Sequence, residues 1–364
     1  MKIGIVGRPQ VGKTTVFNTL AHSNAEIGGY TNRGQINLST ANVPDERLEQ
    51  LAEIVQSKKI THATIDYVDV AGVTKSDVEQ AELDTGTLAS LRTVDALAHV
   101  VRLFEDETVP HVDGSIDAER DIESVSLEFS FADLQIVEGR LTRLRKQFQS
   151  QKLPELQSEI RLLEVCQQTL EDGKPLRVLD LSAPEEKLIR GYGFLTQKPL
   201  LLVCNIGETQ LDAVDDILKR FRKYEAESQT AIIVLAAQLE MELSQLDDAD
   251  AKIFMEELGL RESALERFIQ TSYNLLGLLT FFTINPTESR AWTLREGQTA
   301  VDAAGRVHTD FAKAFIRSET INWAELIGCG SYPEARNRGL LRSEGKTYQV
   351  QEGDVLLILA NPTN

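Results

Sequence analysis

The sequence predicts an α/β fold: a mostly parallel β-sheet covered by helices on both faces, interrupted by a helical insertion and followed by a small α+β domain. Three observations predict it. Short apolar runs alternate with helical patterns through the first two-thirds of the chain, which is typical of a doubly covered parallel sheet. Heptad-spaced apolar positions interrupt this alternation once, and they indicate a pair of helices. The last part of the chain is rich in alternating, β-type segments.

The strands of the main sheet are predicted from short apolar runs. They cover residues 2–6, 64–69, 97–101, 200–205 and 232–236. In an open parallel sheet, ligands bind at the carboxyl ends of the strands. A ligand site is therefore expected in the loops that directly follow these runs.

The loop after the first strand carries a specific motif. Residues 7–14 read Gly-Arg-Pro-Gln-Val-Gly-Lys-Thr, a full match to G-x-x-x-x-G-K-[ST], ahead of a predicted helix at 13–21. Its glycines let backbone N–H groups face phosphate oxygens, and the helix N-terminus adds a positive dipole end. The motif predicts a GTPase-like P-loop NTPase in which Lys13 is the catalytic contact to the β- and γ-phosphates. The predicted nucleotide-binding residues of this loop are Gly7, Gln10, Val11, Gly12, Lys13, Thr14 and Thr15.

Two oxygen ligands for Mg²⁺ are predicted beside this loop. The Thr14 hydroxyl is expected to bind the ion directly. Residues 69–72 read Asp-Val-Ala-Gly at the end of a predicted strand, as a D-x-x-G element does. Asp69 would hold Mg²⁺ through water, and the Gly72 amide would face the γ-phosphate. A plain strand-end turn is the alternative, and for Arg8 we expect either a phosphate contact or an exposed side chain.

Base recognition is predicted from the strand that ends at Asn205. In GTPases this place carries N-K-x-D, whose Asp accepts two hydrogen bonds from guanine, whereas here Ile206 and Glu208 replace the Lys and the Asp. A carboxylate on a longer arm displaces the acceptor, which weakens recognition that depends on buried hydrogen bonds. We therefore expect degraded guanine specificity and binding of adenine. Ala236 and Ala237 occupy the place of the loop behind the base.

A helical hairpin is predicted between about residues 122 and 170. Leu134, Val137, Leu141, Leu144 and Phe148 are spaced by three and four residues, and a similar stripe resumes after a break at 151–154. Heptad spacing on both sides of a short break predicts an antiparallel coiled-coil insertion. An ordinary amphipathic pair of helices on the domain surface is the alternative.

Three domains follow from these changes of pattern. We predict a nucleotide-binding domain at 1–121 and 197–277, the helical insertion at 122–196, and an α+β domain at 278–364. Within the last domain, residues 281–284, 289–293, 348–350 and 355–359 are strand-like, with turns at Gly297, Gly345 and Gly353.

Composition excludes several classes of protein. The net charge of −18 argues against coating of nucleic acid by charge alone. The longest apolar runs are too short for a membrane span, and the N-terminal strand leaves no room for a signal peptide. Three widely spaced cysteines fit a reducing compartment. We therefore expect a cytoplasmic protein without membrane contact.

Longer strings of residues resemble the YchF (Obg-like ATPase) family of translation-factor GTPases. They span essentially the whole chain and lie at 44–48, 95–105, 205–208, 254–260, 290–293 and 303–311. The resemblance implies an OBG-type domain with a coiled-coil insertion and a C-terminal, ubiquitin-like TGS domain. It also implies hydrolysis of ATP in preference to GTP, ribosome association, and a part in translation or stress responses.

The chain departs from the family in its P-loop and its two switch segments. The family usually has Asn at Gln10, associated with a K⁺ site, so the resemblance does not carry K⁺ activation to this chain. Gly34 or a neighbour stands where the family has a Mg²⁺-binding Thr, with Thr31 close by. Residues 76–85 contain no glycine, so this segment is conformationally restricted. Val73 cannot orient a water molecule, which predicts slow intrinsic turnover.

Two basic clusters stand out on this acidic chain. They comprise Arg140, Arg143, Arg145, Lys146 and Lys152 near the hairpin tip, and Arg336, Arg338, Arg342 and Lys346 near the C-terminus. Glu138 is the acid opposing the first cluster along the sequence. Local clusters of this kind can contact rRNA or another polyanion. A solvated helix face is the alternative, and the resemblance favours testing ribosome contact.

The sequence therefore predicts a slow, Mg²⁺-dependent ATP hydrolase that acts as a conformational switch. Two alternatives stay open. One is a true GTPase, and the other is a nucleotide-responsive binding module with little catalysis.

Overall fold

The computed structural model describes residues 1–22, 37–69, 85–260 and 262–361, except for the side chain of Asp248. The chain divides into two compact units. The first comprises Met1–Thr40 and Asp66–Phe268, and the second comprises Ala41–Ile65 and Ile269–Asn364.

Strands and helices are numbered in chain order. The strands are β1 (Lys2–Val6), β2 (Asn37–Asn42), β3 (Ile60–Thr61), β4 (Thr64–Asp69), β5 (Ala96–Arg102), β6 (Leu200–Asn205), β7 (Thr230–Leu235), β8 (Leu278–Thr283), β9 (Ser289–Arg295), β10 (Phe315–Asn322), β11 (Arg342–Glu344) and β12 (Asp354–Ala360). The helices are α1 (Lys13–His22), α2 (Glu46–Val55), α3 (Thr85–Leu91), α4 (Ala118–Gln151), α5 (Pro154–Glu171), α6 (Ala183–Ile189), α7 (Val214–Glu225), α8 (Ala237–Leu243), α9 (Asp248–Glu257), α10 (Ala264–Leu275), α11 (Ala300–Val307), α12 (Thr309–Lys313), α13 (Trp323–Cys329) and α14 (Tyr332–Asn337).

The first sheet has the strand order β2-β4-β1-β5-β6-β7. β1 pairs in parallel with β4 and β5, β5 with β6, and β6 with β7. Strands β5 and β6 are buried at every position, because helices cover both faces of a parallel sheet. The α/β prediction is confirmed, and all five predicted strands are present within two residues of their predicted ends. The carboxyl ends of β1, β5, β6 and β7 therefore lie along one edge.

The predicted helical insertion is also present. Helix α4 begins after Asp117, whose side chain caps it by accepting from the Arg120 amide, and α5 follows after a two-residue connection. The apolar stripe is its seam: Val137, Leu141 and Leu144 are buried in one core with residues of α5. Burial of this seam stabilises the two helices, whose other faces carry charged residues in contact with solvent.

A buried carboxylate near the middle of α4 fixes this helix in the first unit. Asp133 is fully buried and accepts hydrogen bonds from the Leu195 amide at 3.1 Å and from the Thr196 amide at 2.8 Å. Arg92 Nη1 lies 2.8 Å from its Oδ1. These donors meet the cost of burying a charge, so α4 is tied to the segment that leads into β6.

The second unit has its own mixed sheet, with the order β11-β10-β12-β8-β9-β3. The strands predicted at 281–284, 289–293 and 355–359 are confirmed as β8, β9 and β12. The strand-like segment predicted at 348–350 is wrong: it contains an isolated bridge between Gln349 and Thr299. The aromatic and branched side chains there instead pack into the core of the unit, as Val350 and Tyr348 do.

Residues 41–65 belong to this second unit, whereas the sequence analysis places them in the nucleotide-binding domain. The short strand β3 pairs with β9, with Ile60 opposite Ser289. Arg47 of α2 forms ion pairs with Asp45 and Glu352 and places its guanidinium 5.3 Å from the Phe282 ring. Such contacts are long-range in sequence and leave no periodic pattern. The three domain boundaries remain a prediction.

Within the described ranges, no helix combines the length with the apolarity that a membrane span requires.

Candidate nucleotide-binding site

The loop at residues 7–14 connects β1 to α1, as its motif predicts. Gly7 has a φ of +150°, and a Cβ built on it would lie 2.3 Å from the Val100 carbonyl oxygen. Gly12 has a φ of +95°, and its Cβ would lie 2.2 Å from Asn205 Nδ2. L-residues rarely adopt such φ values. Both positions therefore require glycine for the conformation and for the close approach of neighbouring strands.

Lys13 keeps its ammonium group against the loop. Its Nζ donates to the Gly7 carbonyl oxygen at 2.9 Å and to the Arg8 carbonyl oxygen at 2.7 Å. Gln10 also has a left-handed backbone, with a φ of +62°. A cation held at the centre of a loop with a helix N-terminus behind it provides a positive site for phosphate. The structure thus places the Lys13 ammonium group against the phosphate loop, and its contact with the β- and γ-phosphates remains a prediction.

The Arg8 side chain is buried, contrary to the expectation of an exposed side chain. It is 8% exposed, and its Nη2 donates to Asp113 Oδ2 at 3.0 Å. Its Nη1 lies 3.7 Å from Glu128 Oε1 on α4. Two acids from distant segments hold the guanidinium in place. Arg8 therefore anchors the loop to Asp113 and to α4, and a contact with phosphate remains a prediction.

We expect the Arg8–Asp113 pair to make a small, pH-dependent contribution to stability. The hydrogen bond from Arg8 lowers the pKa of Asp113, with a further lowering by the charges of Arg8 and Arg120 and an opposing effect of burial. A carboxylate whose folded pKa is depressed stabilises above its unfolded pKa and loses that contribution as pH falls through the folded value. Replacing Asp113 by Asn should lower the unfolding free energy at pH 7 by up to about 1 kcal/mol.

The difference should shrink as the pH falls below the ordinary aspartate value of 3.8. Denaturant unfolding of the two proteins at pH 7 and pH 3 measures it, with Asp212→Asn, an exposed position, as the control. A difference that grows at the lower pH would contradict this assignment.

Thr14 and Asp69 are the predicted Mg²⁺ ligands, and both lie near the loop. Thr14 is exposed in the first turn of α1. Asp69 is 3% exposed at the carboxyl end of β4, opposite Ile5 in the parallel register. One carboxylate and one hydroxyl are the hard oxygen ligands that Mg²⁺ takes together with water and phosphate. This donor set fits an Mg²⁺ ion whose remaining ligands are water and the phosphates of a substrate.

Asn205 joins two loops of the site. Its Nδ2 donates to the Val11 carbonyl oxygen at 2.9 Å, and its Oδ1 accepts from the Ala237 amide at 3.0 Å. The side chain belongs to a residue that is 4% exposed. Both ends of the carboxamide are therefore engaged by the protein. Asn205 therefore connects the phosphate loop with the loop at 236–237.

These loops surround a cavity of about 720 Å³, which is within the range of ligand pockets. Its lining includes residues from the P-loop and from the predicted base side: Gln10, Gly12, Lys13, Thr14, Thr15, Asn205, Glu208, Ala236 and Ala237. Val11 is fully buried beneath the loop, and Ile206 is 2% exposed. Glu208 is exposed at the start of a 3₁₀ helix, Glu208–Ala213. The structure therefore brings nearly all of the predicted nucleotide contacts together around one cavity.

One wall of the cavity was missed by the sequence analysis. Phe104, Glu105 and Asp106 follow β5 and line it. Arg102, 1% exposed, donates from Nε to the Phe104 carbonyl oxygen at 3.1 Å and places its guanidinium 4.4 Å from the Phe104 ring. These two contacts with Arg102 hold Phe104, and with it this wall of the cavity, in place. An arginine inside an otherwise apolar strand, followed by an aromatic and two acids, was the available signal.

Several predicted residues lie outside the described part of the chain. They are Gly72 of the D-x-x-G element, Val73 after it, Thr31 and Gly34 of the first switch segment, and residues 76–84 of the second. Their predicted roles remain predictions.

The basic clusters are more neutralised than the sequence suggested. Arg140 and Arg145 pair with Glu159 and Glu164 of α5 at 3.1 and 2.8 Å, so Glu138 is not the acid that opposes them. In the C-terminal cluster, Arg336 pairs with Glu319, Arg338 with Glu334, and Arg342 with Glu344 and Asp354. No ion pair within 4 Å involves Arg143, Lys146 or Lys152 in the part of the chain that is described. These three cations are the basic surface that the hairpin tip retains.

Comparison with known proteins places this architecture among relatives of similar length. A family model described as a 50S ribosome-binding GTPase matches residues 2–132. A C-terminal YchF-GTPase model, described as a protein of unknown function (DUF933), matches residues 278–361. The chain is 38% identical over 356 residues to the "Ribosome-binding ATPase YchF" of Bacillus subtilis, covering 97% of each chain. It is also 38% identical over 361 residues to the protein of the same name from Escherichia coli O157:H7, covering 99% of each.

A solved structure supports the same comparison. The Schizosaccharomyces pombe YchF GTPase matches with a TM-score of 0.88 and 30% identity. The match covers 99% of this chain and 97% of that one. The similarity therefore includes the sheet, the helical insertion and the C-terminal unit.

Proposed function

The chain belongs to the YchF family of P-loop NTPases, and from this membership and the geometry of its cavity we propose that it binds and slowly hydrolyses ATP in preference to GTP. The observation that carries the proposal is on the base side of the cavity. Both ends of the Asn205 carboxamide bind protein atoms, and the nearby acid is an exposed Glu208. These features favour a base that does not need one fixed acceptor for two adjacent donors.

Guanine and adenine differ in what they require of this wall. Guanine presents two adjacent donors, and a carboxylate in one fixed place must accept both. An exposed side chain with an additional methylene is not held in one place, so this recognition loses its geometric basis. The adenine amino group needs a single acceptor, and Glu105, Asp106 and Glu208 all line the cavity. A single acceptor can be supplied without a rigid arrangement.

The phosphate side supports hydrolysis by positioning and charge. When bound, Mg²⁺ would supply positive charge to the phosphates, held by Thr14 and by Asp69. Lys13 and the backbone amides of the loop provide preorganised donors for charge that develops on phosphate oxygens. Arg8 keeps the loop fixed to α4. The product of the cycle is a change in conformation that alters binding to a large partner.

The partner that we propose is the ribosome, which the chain would bind in the cytoplasm. Both bacterial relatives carry the name "Ribosome-binding ATPase". On this chain, Arg143, Lys146 and Lys152 provide cationic groups at the hairpin tip, where a phosphate backbone would be attracted electrostatically. The acidic remainder of the chain favours a local contact over general binding of nucleic acid.

Calorimetric titration with non-hydrolysable ATP and GTP analogues in Mg²⁺ tests the preference for adenine. We expect the ATP analogue to bind more tightly. Tighter binding of the GTP analogue would favour the alternative of a true GTPase, which is how the S. pombe structure is described. If neither analogue binds, the proposal is wrong.

Glu208→Asp is expected to shift this preference toward GTP. Shortening the arm returns the carboxylate to the length found in N-K-x-D, and we expect the ratio of the two dissociation constants to change about tenfold, which is about 1.4 kcal/mol. The same titration measures it. Glu225→Gln, an exposed change on α7, is the control that should leave the ratio unaltered. An unchanged ratio in Glu208→Asp would show that this motif does not set base choice.

A further inference from the structure

A second cavity lies in the first unit, away from the nucleotide site. Its volume is about 390 Å³, which is sufficient for a small ligand. It lies at the amino ends of the strands, where Leu97, Leu200 and Thr230 line it, beneath one face of α4. The P-loop lies at the carboxyl ends. Among the described residues, the two cavities share no lining residue.

The deep end of this cavity is positively charged. Arg177 is 8% exposed, and burial lowers the pKa of its guanidinium. His99 is 1% exposed, and burial, followed by the charges of Lys13 and Arg177, lowers its pKa to about 3. The imidazole is therefore neutral at physiological pH, and the charges that lower its pKa are those of the cations Lys13 and Arg177. Such surroundings favour an anionic group on a ligand.

Several buried polar atoms along the cavity lack a hydrogen-bond partner within the described ranges. They are His99 Nε2, Arg177 Nε, Tyr224 Oη and Thr230 Oγ1. A buried polar atom without a partner is destabilising, so four around one cavity point to a role. The guanidinium is only partly compensated within the fold. Its Nε lies 3.8 Å from Glu227 Oε2, and its Nη1 donates to the Thr196 carbonyl oxygen at 3.1 Å.

The mouth and the walls have different chemistry. Glu123 is exposed and Glu227 is half-exposed, and both line the cavity. They place negative charge towards the opening, and Glu227 Oε2 lies only 3.8 Å from Arg177 Nε. The rest of the lining is largely apolar, with Ile122, Phe129 and Leu202 among it. The cavity thus holds opposite charges side by side next to apolar walls.

We infer that this cavity binds a small zwitterion with an apolar body, of the class of apolar α-amino acids. The carboxylate would lie against Arg177, with Tyr224 and Thr230 as further donors. The ammonium group would face Glu123 and Glu227, and the side chain would pack on the apolar walls. A ligand with only one of the two charges would leave either Arg177 or the two glutamates without a charged partner.

Ligand-observed NMR and calorimetry on the full chain test the inference. The probes are leucine, isoleucine, valine, methionine, phenylalanine, tyrosine and tryptophan. We expect at least one to bind with a dissociation constant in the millimolar range or tighter. For an aromatic binder, 3-phenylpropionate and phenethylamine, which each lack one charge, should bind at least tenfold more weakly. The inference is overturned if no amino acid binds, or if 3-phenylpropionate binds as well as phenylalanine does.

Variants locate the binding. Arg177→Gln and Glu227→Gln should each weaken it at least tenfold, while Glu225→Gln, at the end of α7 and not among the lining residues, should leave it unchanged. Glu227 is half-exposed, so this variant keeps the test decisive if Arg177→Gln does not fold. Amino-acid binding that neither variant changes would place the ligand elsewhere and overturn the inference. Titration with an ATP analogue is a separate readout, because the two cavities share no lining residues within the described chain.

Discussion

Lys13→Ala is expected to reduce the turnover number for ATP hydrolysis by at least about 100-fold, since removing one preorganised donor from a transition state costs about 10²–10³ in rate. Lys13 Nζ is held by two carbonyl oxygens of the loop, so the charge needs little reorganisation to meet phosphate. The fold should remain intact, because the two lost hydrogen bonds contribute about 0.5–1.5 kcal/mol each. Release of phosphate over many turnovers measures the effect.

Lys219→Ala provides a matched control. Lys219 is an exposed lysine on α7 that pairs with Asp216 at 2.9 Å, and its loss should not affect turnover. The comparison also separates an enzyme from a binding module. If wild-type protein binds the ATP analogue but releases no more phosphate than Lys13→Ala, the chain is a nucleotide-responsive binder and the proposed hydrolysis is wrong.

The elements that local sequence specifies were predicted closely. β1, β4 and β6 end where predicted, because each is a short apolar run ahead of a turn or a polar loop. The P-loop glycines were also predicted, because their backbone conformation is a local property. The spacing of apolar residues by three and four likewise predicts the seam of the helical hairpin. These features depend on neighbours along the chain.

Features set by distant partners were not predictable in this way. Arg8 is anchored by Asp113, which is 105 residues away, and nothing in the loop motif indicates that partner. β2 has the sequence Asn-Leu-Ser-Thr-Ala-Asn, and its position at the end of the strand order lets polar residues replace the apolar run. The acids opposite the basic residues of α4 come from α5. Such pairings require the fold to be known.

Asn205 shows both sides of this limit. Its motif predicts a place beside the base, and the structure does put it at the cavity. The sequence could not show that the carboxamide forms hydrogen bonds with the backbone of Val11 and Ala237, which are 194 and 32 residues away. This makes Asn205 a positioning residue for the two loops, and a substitution that keeps its size tests that role.

Asn205→Asp is expected to weaken binding of the ATP analogue at least tenfold and to lower the unfolding free energy by about 1–3 kcal/mol. A carboxylate can still accept from the Ala237 amide, but it cannot donate to the Val11 carbonyl oxygen, and it places a negative charge beside that oxygen in a buried position. The loop therefore loses its connection at the point where Gly12 approaches Asn205 most closely. Calorimetric titration and denaturant unfolding measure the two effects.

The exposed change Asn337→Asp alters the net charge equally and should have neither effect. Asn205→Ala removes both hydrogen bonds, so it should be at least as destabilising as Asn205→Asp if the connection between the loops is what matters. Nucleotide affinity that survives in both variants would contradict the positioning role. Asn205 contacts the backbone of the loop, so a selective loss of affinity for one base would instead assign it to base recognition. A loss common to both analogues supports the role in holding the phosphate loop.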